Sequence, residues 1–315
     1  MGRTTHTRHG AAVVLAYFLI YVVWGSTYYF IGVALHDIPT FLLGALRFSA
    51  AGLLLLALCG WRGERVMRPQ LIRRSAVSGI VLLFVDMAVI MLAQRYVSSS
   101  LVAIVASSTA IWIMLLDVPM WKRNFRSLRT IASLLAGFAG VGLLYLEQLA
   151  ADSHTSMHHE YGILILVAGC ISWALGTLYA KYRSAEAEAV NAFAGAAWQM
   201  IFASILFWLC AWAAGDTTRV DWAAVSTGSW LSLLYLILFG SLLAYTAYVW
   251  LLKVRPATEV ATHAYVNPVV AVIIGVYIGH EEVSLLQLAG LAIILASVIL
   301  VEMRTPQSPK RHDKQ

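Results

Sequence analysis

Long apolar runs separated by short polar breaks organise this chain. Ten such runs are present, at approximately 11–34, 40–59, 75–94, 99–121, 128–147, 161–181, 190–214, 229–252, 257–279 and 285–302. Each is close to the roughly 20 residues that a helix needs to cross about 30 Å of hydrocarbon. The breaks carry turn chemistry or charge: Asp37 and Pro39, the stretch Trp61 to Arg74, Lys122 to Arg129, and Gly215 to Gly228. Backbone groups in lipid must be paired within the spanning segment, so the runs predict helices. Short alternating strands are missing from the pattern, which argues against an outer-membrane barrel.

The charges orient these runs. With the N-terminus in the cytoplasm and ten crossings, 19 of the 22 Lys and Arg residues fall on the inner side. Only Arg95 and Arg219 fall outside, and Arg47 lies within the second run. Such a bias is the signature of a multi-pass membrane protein, here with both termini cytoplasmic. Composition agrees: 60% of residues are hydrophobic and 12% charged, against about 25% charged in soluble domains. Mean hydropathy is +0.76. The net charge of +6 does not point to nucleic acid, because the basic residues sit in short clusters between apolar runs. The first run is too long for the apolar core of a signal peptide. Cys59, Cys170 and Cys210 lie inside apolar runs and read as small hydrophobes, neither disulfide nor metal partners. An inner (plasma) membrane location follows as the expectation.

The two halves echo one another. WGSTYY at Trp24–Tyr29 is echoed by WALGTLY at Trp173–Tyr179, and LLGALRFSAAGLLLL around Arg47 by AFAGAAWQMIFASIL around Gln199. The offset is about 150 residues, near half the chain. Five helices per half is an odd number, so the second half enters the membrane from the opposite side. The expected architecture is an all-α membrane protein of two inverted five-helix repeats, 1–150 and 160–303, followed by a cytoplasmic polar tail, 304–315. Inverted repeats place binding sites near the midplane, between the halves.

WGSTYYFIGVALHDIPTFLLGALRFSAAGLLLL and RPATEVATHAYVNPVVAVIIGVYIGHE, which runs from Arg255 to Glu281, carry a family resemblance. The chain resembles the EamA-type branch of the drug/metabolite transporter superfamily along nearly its whole length. The segment with Asn267-Pro268, a following glycine and Glu281 is the more specific piece. The resemblance implies a ten-helix carrier of two repeats, often an exporter of metabolites or amino acids. The sequence departs from the family pattern in its first half. Ala110 stands at or next to the place corresponding to Pro268, and WKRNFRSLRT replaces the usual acidic helix end. A less kinked or differently gated first half is therefore expected.

Charges at membrane depth cost about 2.5 kcal/mol or more on insertion scales, so they are functional candidates. Arg47 and Asp86 sit roughly 12–13 Å below the outer ends of their helices at about 1.5 Å per residue. Their matched depth suggests an intramembrane ion pair, and Asp86 is the candidate for proton coupling. Asp117 and Glu259 lie nearer the inner ends and rank lower. Aromatic residues at depth need partners for their polar tips, which a solvated cavity supplies. Trp24, Tyr28, Trp112, Trp173, Tyr245 and Tyr265 are the candidates, joined by Gln199, His263 and Asn267 as polar cavity residues. Helix packing is the alternative role for each. Such a lining suits apolar, aromatic or cationic solutes. Pro268 frees the carbonyl of Ala264 and is the candidate hinge, with Asn267 the candidate partner for that carbonyl. His154, His158 and His159 read as a solvated loop and not a metal site.

No Walker loop, nucleophile elbow or zinc-protease motif is present, so no cofactor and no enzymatic activity are expected. The expected function is a secondary transporter of small metabolites, amino acids or drug-like organic solutes, an exporter by the resemblance. Protons are a candidate coupling ion. The expected partners are the substrate and the lipid bilayer, with the protein a monomer or homodimer. A membrane enzyme and a non-transporting receptor or scaffold are the alternatives.

Overall fold

The computed structural model describes residues 3–125, 128–152, 159–184, 192–255, 260 and 262–302. Among the described residues the chain is helical, with no strand. Seven helices are long and apolar enough to cross a membrane. These are α1 (Ala11–Leu35), α2 (Thr40–Trp61), α3 (Pro69–Ala93), α4 (Ser99–Leu116), α6 (His159–Ser184), α7 (Ala192–Ala213) and α8 (Thr227–Val254). Three further apolar helices, α5 (Leu128–Asp152), α9 (His263–Tyr277) and α10 (Leu285–Glu302), contain shorter qualifying stretches. Most bounds lie within a few residues of those expected from the apolar runs. The polar break before α8 also holds a one-turn helix, Asp216–Arg219.

Helix ends follow from local chemistry. Ser98 caps α4, its Oγ accepting from Leu101 N, and Ser226 caps α8 by accepting from Ser229 N. Pro69 opens α3 at a position where its missing N–H has no intrahelical role. Large apolar side chains point outward as well as inward. Leu53 is 60% and Trp212 77% exposed, while Leu43 and Phe207 on the same helices are fully buried. Helices apolar all round suit a lipid surround.

Packing pairs the halves by ordinal position. α2 lies along α7, the second helix of each half, and α5 lies along α10, the fifth of each. Small residues permit the close crossings. A Cβ on Gly79 of α3 would meet the Gln199 carbonyl oxygen of α7 at 2.5 Å, and one on Gly25 of α1 would meet Asn267 Cα of α9 at 3.1 Å.

Two irregularities were not foreseen. Helices α1, α3 and α8 each contain a wide π stretch: Leu19–Val23, Gly79–Val85 and Leu236–Tyr245. Trp24 N–H, for example, donates to Leu19 O, five residues back. Helix α4 carries a turn at Ser107–Ser108, between the helical stretches Ser99–Ala106 and Thr109–Leu116. The Ser107 hydroxyl donates to Ile104 O at 2.6 Å and competes for the backbone acceptor there.

Candidate functional site

A cavity lies at the centre of the bundle, lined by α1, α3 and α4 from the first half and α6, α8 and α9 from the second. These are the first, third and fourth helices of each half. Part of the cavity is open to the outside. Its wall includes Trp24, Tyr28, Asp86, Trp173, His263, Asn267 and Pro268 among the residues singled out from sequence. Tyr248, Cys170, Thr27 and Ser107 line it as well.

The π stretches set up this wall. Those of α1 and α3 end immediately before Trp24 and Asp86, and that of α8 ends at Tyr245. Wide turns re-aim the side chains that follow, and they concentrate at functional sites. They also leave carbonyls without their usual partners. Asn267 answers that need: with its amide oriented to suit its surroundings, Nδ2 donates to Ile20 O at 2.8 Å, Tyr21 O at 2.9 Å and His263 O at 3.2 Å. The side chain thus ties α9 to the π stretch of α1. It serves these carbonyls and not that of Ala264, which corrects the expected pairing.

The aromatic residues gather into one cluster. The Trp24 ring lies 5.1 Å from Tyr248, 5.3 Å from His263, 5.9 Å from Trp173 and 6.3 Å from Tyr245, centre to centre. Trp173 and Tyr248 are 5.8 Å apart. Four helices therefore meet through rings at the cavity wall. His263 Nδ1 lies 2.8 Å from Val260 O, so the proton sits on that nitrogen.

Other candidates face elsewhere. Tyr245 backs the cluster and donates to Gln199 Oε1 at 2.5 Å, and Gln199 Nε2 donates to Ser78 Oγ at 2.8 Å. That chain joins α8, α7 and α3 behind the cavity. Trp112 packs edge-on against Phe138 of α5, 5.0 Å away, and is not among the lining residues. The side chains of Tyr265 and His159, and residues His154, His158 and Glu259, lie outside the described residues. Asp117 accepts a hydrogen bond from Tyr182 at the end of α6.

Arg47 and Asp86 do not form the expected ion pair. Arg47, 2% exposed, donates from Nε to Ser241 Oγ at 2.7 Å, approaches Met87 Sδ at 3.9 Å and lies over the Phe48 ring. Adjacent residues on a helix point about 100° apart, so a guanidinium that reaches Met87 from α2 misses Asp86. Asp86 turns into the cavity, 7% exposed.

One end of the bundle is bridged by carboxylates. Glu281, past the end of α9, accepts from Ser99 N and Oγ at 3.2 and 2.5 Å and from Ser100 N and Oγ at 3.0 and 2.5 Å. It caps the N-terminus of α4, where the helix dipole favours an anion. Asp37, past the end of α1, accepts from Ser226 N and Oγ and Ser229 Oγ at the start of α8, at 2.9, 2.6 and 2.7 Å. Glu147 of α5 accepts from Ser284 Oγ, at the start of α10, at 2.5 Å. These clasps join α9 to α4, α1 to α8 and α5 to α10.

The Ser226 hydroxyl, then His36, Ser229 and the Ser226 N–H, hold the Asp37 carboxyl well below the usual carboxylate range. A lowered folded value means that the stabilisation is complete above the unfolded value of about 3.9 and is lost as pH falls through the folded one. The melting-temperature difference between wild type and Asp37→Asn is therefore expected to stay constant from pH 5 to 8. It shrinks only on acidification below about pH 4.

Comparison with known proteins matches this arrangement. The profile of the EamA-like transporter family fits residues 11–146 and again 160–303. The chain belongs to the EamA-like transporter family. It is 32% identical over 294 residues to the "Uncharacterized inner membrane transporter YedA" of Escherichia coli (strain K12), covering 91% of this chain and 90% of that protein. It is 22% identical to the "Uncharacterized transporter YvbV" of Bacillus subtilis (strain 168), covering 93% and 92%. A solved crystal structure of a protein shares the fold at a TM-score of 0.63 and 20% identity, over 93% of this chain and 97% of that one. As a member of the EamA-like family the chain is a transporter and not an enzyme. It is a multi-pass protein of the inner membrane, working in the bilayer on a small-molecule substrate.

Proposed function

We propose that this EamA-like protein is a secondary transporter that exports small metabolites, amino acids or drug-like organic solutes by alternating access. It crosses the membrane ten times with both termini cytoplasmic, as two inverted five-helix repeats, 1–150 and 160–303, with the tail 304–315 inside. The observation that carries this reading is the cavity lined by the first, third and fourth helices of each half. A site built equally by two halves is the arrangement in which rocking of one half against the other exposes it to either side. The carboxylate clasps hold one end together while the centre stays hollow, which supports a resting state closed at that end. The outward direction follows the family resemblance.

Trp24, Tyr28, Trp173, His263 and Asn267 are the substrate contacts in this reading, and Pro268 is the hinge of α9. Asp86 is the coupling group if protons drive the cycle. The titratable groups sharing its cavity are Tyr28 on α1, Cys170 on α6, Tyr248 on α8 and His263 on α9, while Arg47 stays behind Met87.

Flux into proteoliposomes, measured over a broad metabolite panel with and without a pH gradient, tests the proposal. Substrate-dependent flux is expected, and none across the panel would overturn it. Trp24→Ala is expected to cut flux at least tenfold, because its ring lines the cavity and packs against four others. Trp212→Ala, on the outward surface, is expected to leave flux unchanged.

A further inference from the structure

We propose that the cavity selects organic monocations, with the Asp86 carboxylate as counter-charge beside the ring wall of Trp24, Trp173 and Tyr248. The inference rests on the transporter reading and names its substrate class.

Asp86 is more than nine-tenths buried and lines the cavity. Among the described residues it has no hydrogen-bond or ion-pair partner. A buried carboxylate without a partner is costly, by several kcal/mol after relaxation, and either a proton or a bound cation relieves that cost. Among the described residues, no Lys or Arg lines the cavity. Arg47 is held behind the wall by Ser241, Met87 and the Phe48 ring. His263 presents its ring to Trp24 and commits Nδ1 to Val260. Among the described residues, the formal charge that the lining offers a ligand is therefore negative.

The rest of the wall has two chemistries. Trp24, Trp173 and Tyr248 stand 5.1 to 5.9 Å apart and supply electron-rich faces. A cation over such a face gains about 0.5–2 kcal/mol, more when desolvated. Ile31, Ile90, Leu166 and Leu252 supply apolar surface for the body of the ligand. An amine or quaternary ammonium with an aromatic or aliphatic body satisfies all three. A zwitterionic amino acid fits less well, because its ammonium can face Asp86 but its carboxylate finds no Lys or Arg among the described lining residues. An organic anion is excluded for the same reason.

Four compounds with one indole ring and different charge test this without any mutation: tryptamine (cation), tryptophan (zwitterion), tryptophol (neutral) and indole-3-acetate (anion). The probe is uptake of radiolabelled N-methyl-4-phenylpyridinium into proteoliposomes holding the full chain. Saturable uptake is expected, with tryptamine competing at least tenfold better than the other three. Asp86→Asn, checked by its elution as a folded monodisperse peak, is expected to lose uptake at least tenfold, and Asp86→Glu to retain part of it. Equal competition by tryptophan or indole-3-acetate would overturn the proposal. So would tryptophan flux that Asp86→Asn leaves intact, although the protein would then still be a transporter. Absence of flux for every compound in a broad panel would instead count against the transporter reading itself.

Discussion

Gly79→Ala is expected to lower the melting temperature of the purified protein by several degrees, whereas Gly142→Ala leaves it unchanged or raises it. The added Cβ at position 79 would stand 2.5 Å from Gln199 O and 2.8 Å from Gln199 Cα. Both are backbone atoms, so no side chain can swing away, and α3 and α7 must separate. Overpacking of this kind costs about 1–3 kcal/mol. Separation also strains the link from Gln199 to Ser78 and Tyr245, which backs the aromatic wall. At Gly142 no atom lies within 4 Å of the new methyl, and helix propensity favours alanine by about 0.5–1 kcal/mol. Thermal unfolding followed by tryptophan fluorescence in detergent checks both. Equal melting temperatures for Gly79→Ala and wild type would show that the α3–α7 crossing yields without cost.

Glu281→Ala is expected to open the clasped end and expose the cavity to water-soluble reagents. The wild-type carboxylate accepts four hydrogen bonds from Ser99 and Ser100. Bonds to a charged group are worth about 1.5–3 kcal/mol each, so even partial loss moves a two-state equilibrium by tenfold or more. Cys170 is a native reporter, since it lines the cavity and is buried. With Cys59 and Cys210 changed to serine, a membrane-impermeant maleimide applied from the clasped side is expected to label Cys170 at least tenfold faster in the Glu281→Ala variant. An unchanged rate would mean that Glu281 is a helix cap and no part of a gate.

Much of the site could be read from the chain. Trp24 and Trp173 stood out because they recur at matched places in the two halves, and Asp86 because a carboxyl in an apolar run has no cheap reason to be there. The structure brings all three to one cavity. The same logic of depth failed for Arg47. Depth along a helix says nothing of direction around it, and the π stretch in α3 alters that direction further. Trp112 and Gln199 sit at the expected depth but on helix faces turned from the cavity. Tyr245 stops one layer behind it. Asp37 read as part of a polar break and Glu281 as part of a family motif, and neither clasp could be foreseen because the serine partners are up to 192 residues away.

Hydrophobic run length, loop charge and the half-chain echo belong to the sequence by itself, because solvation and helix rise act on local stretches. They identified a lipid-embedded helical protein, its apolar helices and its family resemblance. Which faces converge was decided only by tertiary packing. The π stretches, the Asn267 bridge to Ile20 and Tyr21, the turn in α4 and the carboxylate clasps each depend on partners from distant helices. A cavity is defined by the residues that surround it, and a linear pattern carries depth without azimuth.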